Sequence, residues 1–176
     1  MPDYRRAWQQ GGTYFFTVVL HQRRGSDLLT RHIALLRQAV REVRHSHPFV
    51  IHAGVVLPEH LHCIIELPAG DTDFAVRWRL IKMKFSKGIP ARESRNASRI
   101  KRGERGIWQR RYWEHLIRDA DDYAAHMDYA HLNPLKHGLV TRVRDWPYST
   151  FHKLVAVGVY PANWAGGFED AIAIPD

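Results

Sequence analysis

From Phe49 to Leu67 the chain reads FVIHAGVVL, then Pro58-Glu59, then HLHCIIEL. Two apolar stretches rich in Val and Ile, bounded by turn residues, read as β-strands. A connection this short leaves no room for a crossover helix, so the two strands must pair as an antiparallel hairpin. Side chains alternate between the faces of a strand. His60 and His62 therefore share one face, with Cβ atoms roughly 6–7 Å apart. Leu61, Cys63 and Ile65 share the other face, suited to a core. Two imidazoles so placed can share a metal ion. In a chain with 12 His, a lone His-x-His pair can equally be two ordinary strand residues, so it needs further residues to give it meaning.

The flanking sequence supplies the architecture. Gly11-Gly12 marks a turn, and Thr13 to Gln22 is dense in aromatic and β-branched residues, as a strand should be. Ser26 or Asp27 opens a helix to about His45, with Leu28, Leu29, Ile33, Leu36, Val40 and Val43 at helical spacing. His47-Pro48 ends it. After a turn at 68–72, a second helix runs from about Asp73 to Lys87 with Phe74, Trp78, Ile81 and Phe85 on one stripe. Residues 88–106 read as a polar, mobile loop. Tyr112 to Asp119 is a fourth strand, and a helix follows from Ala120 to Asn133, where Pro134 should stop it. The order predicts an α+β, ferredoxin-like (RRM-like) β-α-β-β-α-β antiparallel sheet with an additional C-terminal helix. Residues 1–144 form the expected domain and 145–176 a tail.

Charge narrows the function. The chain carries 26 Lys+Arg against 18 Asp+Glu, a net charge of +8, which suits a polyanionic partner such as nucleic acid. Half of the positive residues, 13 of 26, fall between Arg77 and Arg111, opposed there only by Glu93 and Glu104. Arg77, Lys82, Lys84, Arg102, Arg110 and Arg111 are the candidates to grip phosphates. Trp108, Tyr112 and Trp113 could stack on unpaired bases. The single cysteine, Cys63, excludes an intrachain disulfide and a Cys-based zinc site. No apolar run is long enough to span a membrane, and residues 1–6 lack the apolar core of a signal peptide. These features predict a cytoplasmic protein, nucleoid-associated when bound to DNA.

The last predicted helix adds a second set of polar residues. Asp122, His126, Tyr129 and Asn133 are spaced four, three and four apart and lie along one face. At this point the residues resemble a known family. His60-Leu61-His62, together with the run YAHLNPLKHGLV from Tyr129 to Val140, is similar to the REP-associated tyrosine transposases. These are single-tyrosine His-hydrophobic-His endonucleases related to small insertion-sequence transposases. The resemblance extends through GGTYFFT at 11–17, VVLPEHLHC at 55–63, WQRRYWEH at 108–115, DWPYSTFH at 145–152 and YPANWAG at 160–166. Two positions depart from the usual pattern: Gly54, where relatives often carry Trp, and Ala130, after the tyrosine.

The resemblance implies a metal-dependent endonuclease and strand transferase acting on single-stranded DNA hairpins of repetitive extragenic palindromes. It implies Tyr129 as nucleophile, forming a 5′-phosphotyrosine, and His60, His62 and Asn133 as ligands to Mg²⁺ or Mn²⁺, acting as monomer or homodimer. It also implies that the tail, anchored by Trp146, Tyr148 and Trp164, lies near the active site and aids DNA recognition. For the general base, His126 lies one turn before Tyr129 on the same face, with Glu59 and His131 as alternatives. Three competing readings are a non-catalytic RRM-like nucleic-acid-binding protein, a metallohydrolase that uses water, and a domesticated inactive transposase.

Overall fold

The computed structural model describes residues 8–91 and 97–164. Strand β1 (Thr13–Val19) leads through two helical segments, α1 (Leu28–Arg31) and α2 (Ile33–Ser46), to the hairpin of β2 (Val50–Val56) and β3 (His60–Glu66). Helix α3 (Phe74–Gly88) and the short α4 (Ala97–Lys101) precede β4 (Trp113–Leu116). Helix α5 (Ala120–Lys136), a 3₁₀ turn (Val143–Asp145) and α6 (Phe151–Ala156) complete the described chain. The strands form one antiparallel sheet in the order β2-β3-β1-β4. This is the split βαβ arrangement that the element order predicts.

Alternation along the strands divides the interior into two layers. Tyr14, Phe16 and Val18 of β1 and Leu61, Cys63 and Ile65 of β3 join α2 and α3 in one core. Phe15, Ala53, Val55 and Ile64 point to the opposite face, where Met127, Tyr129 and Ala130 of α5 cover them. Tyr14, Phe15 and Phe16 are fully buried, each side chain contributing about 1.5–3 kcal/mol on transfer from water. The helices of the βαβ units thus lie on one face, and α5 closes the other together with Val143, Phe151 and Tyr160 of the segment that follows it. An RNA-recognition domain stacks bases on the sheet itself; here α5 occupies that surface.

Several boundaries differ from the sequence expectation. The first helix is divided at His32, whose φ of −109° and ψ of 34° leave the helical range. The N–H of Leu29 bonds the Pro58 carbonyl at 3.1 Å, so α1 is tied to the hairpin turn while α2 packs against α3. Strand β4 is four residues long, because only Trp113 to Leu116 find partners on β1. The expected loop at 88–106 contains α4 and is stapled by Arg105, which donates to the carbonyls of Ser86, Ile89 and Pro90. Arg92, Glu93 and Arg95 lie outside the described residues, as do residues 1–7 and 165–176.

Pro134 does not end α5, which continues to Lys136. Proline lacks one N–H, but the next turn closes without it: His137 N–H bonds Asn133 O at 2.9 Å. The stop comes at Gly138, with φ of 67°. Gly138 N–H reaches Leu135 O and Leu139 N–H reaches Pro134 O, each at 2.9 Å, a Schellman termination. The helix begins equally plainly, with Asp119 Oδ1 accepting from Asp122 N–H at 2.8 Å. Among the described residues, no helix is long and apolar enough to cross a membrane.

The tail returns to the sheet. Val56 N–H bonds Tyr148 O, Thr150 N–H bonds Gly54 O, and Trp146 Nε1–H bonds Val56 O at 2.9 Å. Tyr160 donates to Asp128 Oδ1 at 2.6 Å and its ring lies 4.6 Å from that of Trp164. Both rings pack in the layer beneath α5.

Candidate active site

Strand alternation sends His60 and His62 to the α5 face, and both are almost completely buried. Their ring centroids are 4.9 Å apart. Each has one ring nitrogen engaged. His60 Nδ1 lies 3.0 Å from Glu59 Oε1, and His62 Nδ1 lies 2.9 Å from Thr17 Oγ1 on the neighbouring strand. Glu59 only accepts, so His60 donates from Nδ1 and keeps Nε2 as its lone pair; the same tautomer at His62, with Nδ1 donating to the Thr17 hydroxyl, leaves its Nε2 free to ligate.

Helix α5 brings the third partner. Asn133 is fully buried one turn after Tyr129. Its Oδ1 and Nδ2, and Nε2 of His62, are buried and meet no hydrogen-bond partner among the described residues. The amide still stands near enough to both imidazoles to favour their protonated forms. Burial outweighs this and the pull of Glu59, lowering the pKa of His60, and it drives His62 well below the usual histidine value, helped by His60 itself. Both are therefore neutral near pH 7, the ligating form. Buried polar atoms without partners are costly. Two imidazole nitrogens and a hard amide oxygen around one point fit a divalent ion such as Mn²⁺ or Mg²⁺.

Tyr129 is buried beside these groups, its ring centroid 5.3 Å from His62 and 5.9 Å from Phe15. Lys136 places Nζ 5.3 Å from the centre of the tyrosine ring, and His137 stands 5.2 Å from His60. Sequence reasoning missed both Lys136 and His137, because it ended the helix at Asn133; Gly138 was the signal that one more turn follows.

The three general-base candidates stand in different surroundings. His126 Nδ1 lies 2.8 Å from Asp122 O, and its ring stacks on His115 and Trp113. Phe15 touches both His126 and Tyr129. His131 is fully buried against the tail, with Nε2 3.0 Å from Thr150 Oγ1. Glu59 orients His60.

The basic residues separate into two groups. Arg77 is a correction: it is buried, donating to Asp73 O, Pro48 O and Asp71 Oδ2 at 2.6–2.7 Å, so it holds the start of α3 and cannot reach a phosphate. Lys82 donates to Gln109 O at 2.9 Å, lies over Trp108 and Tyr112, and burial lowers its pKa to about 8. Lys84 pairs with Glu42 and Arg110 with Glu104. Arg102 and Arg111 are exposed. Trp108 is buried against Phe85, as core packing requires.

No family model matches the chain. It is 50% identical over 170 residues to the REP-associated tyrosine transposase of Escherichia coli K12, covering 97% of this chain and 94% of that one. It is 46% identical over 168 residues to a relative in Haemophilus influenzae that carries the same family designation, covering 94% of each. A solved structure of a REP-associated tyrosine transposase bound to a REP hairpin superposes with a TM-score of 0.80 at 46% identity, covering all of both chains.

Proposed function

The chain belongs to the REP-associated tyrosine transposases, and from that premise we propose that it cleaves and rejoins single-stranded DNA at hairpin-forming palindromic repeats through Tyr129. The observation that carries this reading is the cluster of partnerless buried atoms, His62 Nε2 and both amide atoms of Asn133, beside the tyrosine ring. The hairpin as substrate rests on the similar protein whose structure is bound to one.

In the proposed step, Tyr129 Oη attacks the scissile phosphorus and loses its proton. The P–O3′ bond breaks, giving a 5′-phosphotyrosine and a free 3′-OH that takes up a proton. Attack by a 3′-OH on the phosphotyrosine reverses the sequence and restores the phenol. Each transesterification exchanges one phosphodiester for another, so no external energy source is needed.

A phenol with a pKa near 10 is a weak nucleophile at neutral pH. The His60, His62 and Asn133 side chains would hold Mg²⁺ or Mn²⁺, which supplies Lewis-acid polarisation of the phosphate. Thr17 and Glu59 fix the two imidazoles. Lys136, above the tyrosine ring, adds positive charge where phosphate must enter. Arg102 and Arg111, both exposed, are offered to the DNA backbone. Strand β3 and helix α5 of a single chain supply the whole set, which favours a monomer acting in cis.

The test is a denaturing gel of labelled single-stranded hairpin DNA incubated with Mg²⁺ or Mn²⁺. Wild type should give a metal-dependent covalent protein–DNA band, absent in Tyr129→Phe and in His62→Ala. Cleavage that survives in Tyr129→Phe would replace this reading with a water-using metallonuclease. Binding without cleavage would leave a DNA-binding relative that has lost its chemistry.

A further inference from the structure

Helix α5 carries a second set of metal-type donors away from His60 and His62. Asp122 and His126 lie one turn apart on α5, and His115 faces them from β4. One ligand atom from each falls within 4.8 Å of the other two. His115 Nε2 is 2.8 Å from Asp122 Oδ2, and His126 Nδ1 is 3.0 Å from Asp122 Oδ1. The imidazoles are nearly parallel, with centroids 4.5 Å apart. Asp122 and His126 side chains are 7% and 6% exposed while His115 keeps 25%. The cluster is closed towards the core and open on one side.

We propose that His115, Asp122 and His126 form a second divalent transition-metal site, of the Zn²⁺ class, separate from the His60–His62–Asn133 site. Two imidazoles, one carboxylate and an open position make a donor set that zinc commonly occupies. The His115 and His126 nitrogens each stand about 3 Å from the carboxylate, and small side-chain rotations bring all three donors to about 2.0–2.2 Å from one ion. The two sites share no residue. Phe15 stands between them, its ring 5.5 Å from His62 and 4.9 Å from His126.

Three existing contacts must yield to the ion. His115 Nε2 gives up its hydrogen bond to Asp122 Oδ2 and its proton moves to Nδ1. His126 Nδ1 now bonds Asp122 O at 2.8 Å; on coordination the imidazole changes tautomer and carries its proton on Nε2. Arg118 Nε lies 3.2 Å from Asp122 Oδ2, but that side chain is 72% exposed and free to swing into solvent. The carboxylate is already ionised. Burial alone would raise the Asp122 pKa, but hydrogen bonds from His115 and Arg118 outweigh it and hold the carboxyl at about 2. Burial lowers the pKa of His126. An ion here would pin β4 to the first turns of α5, and so fix the helix that carries Tyr129 against the sheet.

The site is tested in a His60→Ala/His62→Ala background, which removes the first site. Zn²⁺ binding is counted by equilibrium dialysis, and Co²⁺ is followed by its visible absorption. The double variant should retain one ion per chain and gain thermal stability with Zn²⁺. Adding His115→Ala should abolish both effects, with an unchanged circular dichroism spectrum. Adding Arg118→Ala, which releases the carboxylate from its competitor, should tighten the ion several-fold, an outcome that misfolding cannot imitate. A double variant that binds no ion, or one whose ion survives His115→Ala, overturns the proposal. Neither result touches the Tyr129 adduct assay, which uses the wild-type protein.

Discussion

His131 Nε2 lies 3.0 Å from Thr150 Oγ1, and this contact joins the helix that carries the tyrosine to the returning tail. His131 Nδ1 donates to Met127 O at 2.8 Å, so Nε2 accepts from the threonine hydroxyl. Thr150 Oγ1 in turn accepts from Gly54 N–H at 3.0 Å. One threonine thus connects α5, strand β2 and the tail.

Thr150→Val keeps the shape but removes the hydroxyl, leaving His131 Nε2 and Gly54 N–H without their partner. It should lower stability by about 1–3 kcal/mol. Urea unfolding at pH 7 measures it; no change would mean that the tail contributes nothing to the folded domain.

Burial holds the His131 pKa at about 4, against about 6.5 unfolded. The folded state therefore excludes a proton that the unfolded chain binds. The associated stability is complete above pH 6.5 and is lost as pH falls towards 4. Between pH 7 and pH 5 this one group should account for about 2 kcal/mol. Denaturant midpoints at the two pH values should differ less in His131→Gln than in wild type; equal differences would remove His131 from the acid limb.

Thr17 and Glu59 orient the two histidines, so they should govern affinity for the ion without touching it. Thr17→Val should weaken Mn²⁺ binding about 10- to 100-fold while the fold is retained. Isothermal titration calorimetry gives the constant directly. Unaltered affinity would show that the His62 ring needs no help from its neighbouring strand.

Burial depresses the pKa of His60 and of His62, so both stay neutral below the pH at which a free imidazole protonates. Mn²⁺ affinity should be level from pH 8 down to 6.5 and fall only under more acidic conditions. A titration followed by water-proton relaxation, showing affinity already halved near pH 6.5, would contradict this.

The basic residues should respond in opposite ways. Arg77→Ala removes the partner of Asp71 and of two carbonyls; it should cost about 1–3 kcal/mol of stability. Arg102→Ala and Arg111→Ala should leave stability alone, weaken hairpin binding and each reduce the salt dependence by about one counterion. If Arg77→Ala instead changes only the salt slope, its burial has no bearing on its role.

The hairpin and its two faces were legible because strand alternation is rigid: once β3 was recognised, the positions of His60, His62, Leu61 and Cys63 followed. The face of α5 was legible for the same reason, through the spacing of Tyr129 and Asn133. Arg77 was misjudged because composition counts charge without regard to burial, and only tertiary contacts reveal that Asp71 and two carbonyls surround it. The extent of α5 was misjudged because Pro134 was weighed as a helix breaker, while the Gly138 termination four residues later decided the matter. The link between β4 and α5 through His115 and Asp122 joins residues seven apart across a strand–helix turn, which periodicity within either element cannot show.

Strand β2 lies at the border of the sheet, where unpaired backbone groups invite the strands of another molecule. The tail answers Gly54 and Val56 with Thr150, Tyr148 and Trp146, acting as a stopper over that border. A fragment ending before Asp145 would present an adhesive ribbon, Val50 to Val56, rather than a finished sheet. Its characteristic failure should be self-association into stacked aggregates, at concentrations where the full chain stays dispersed.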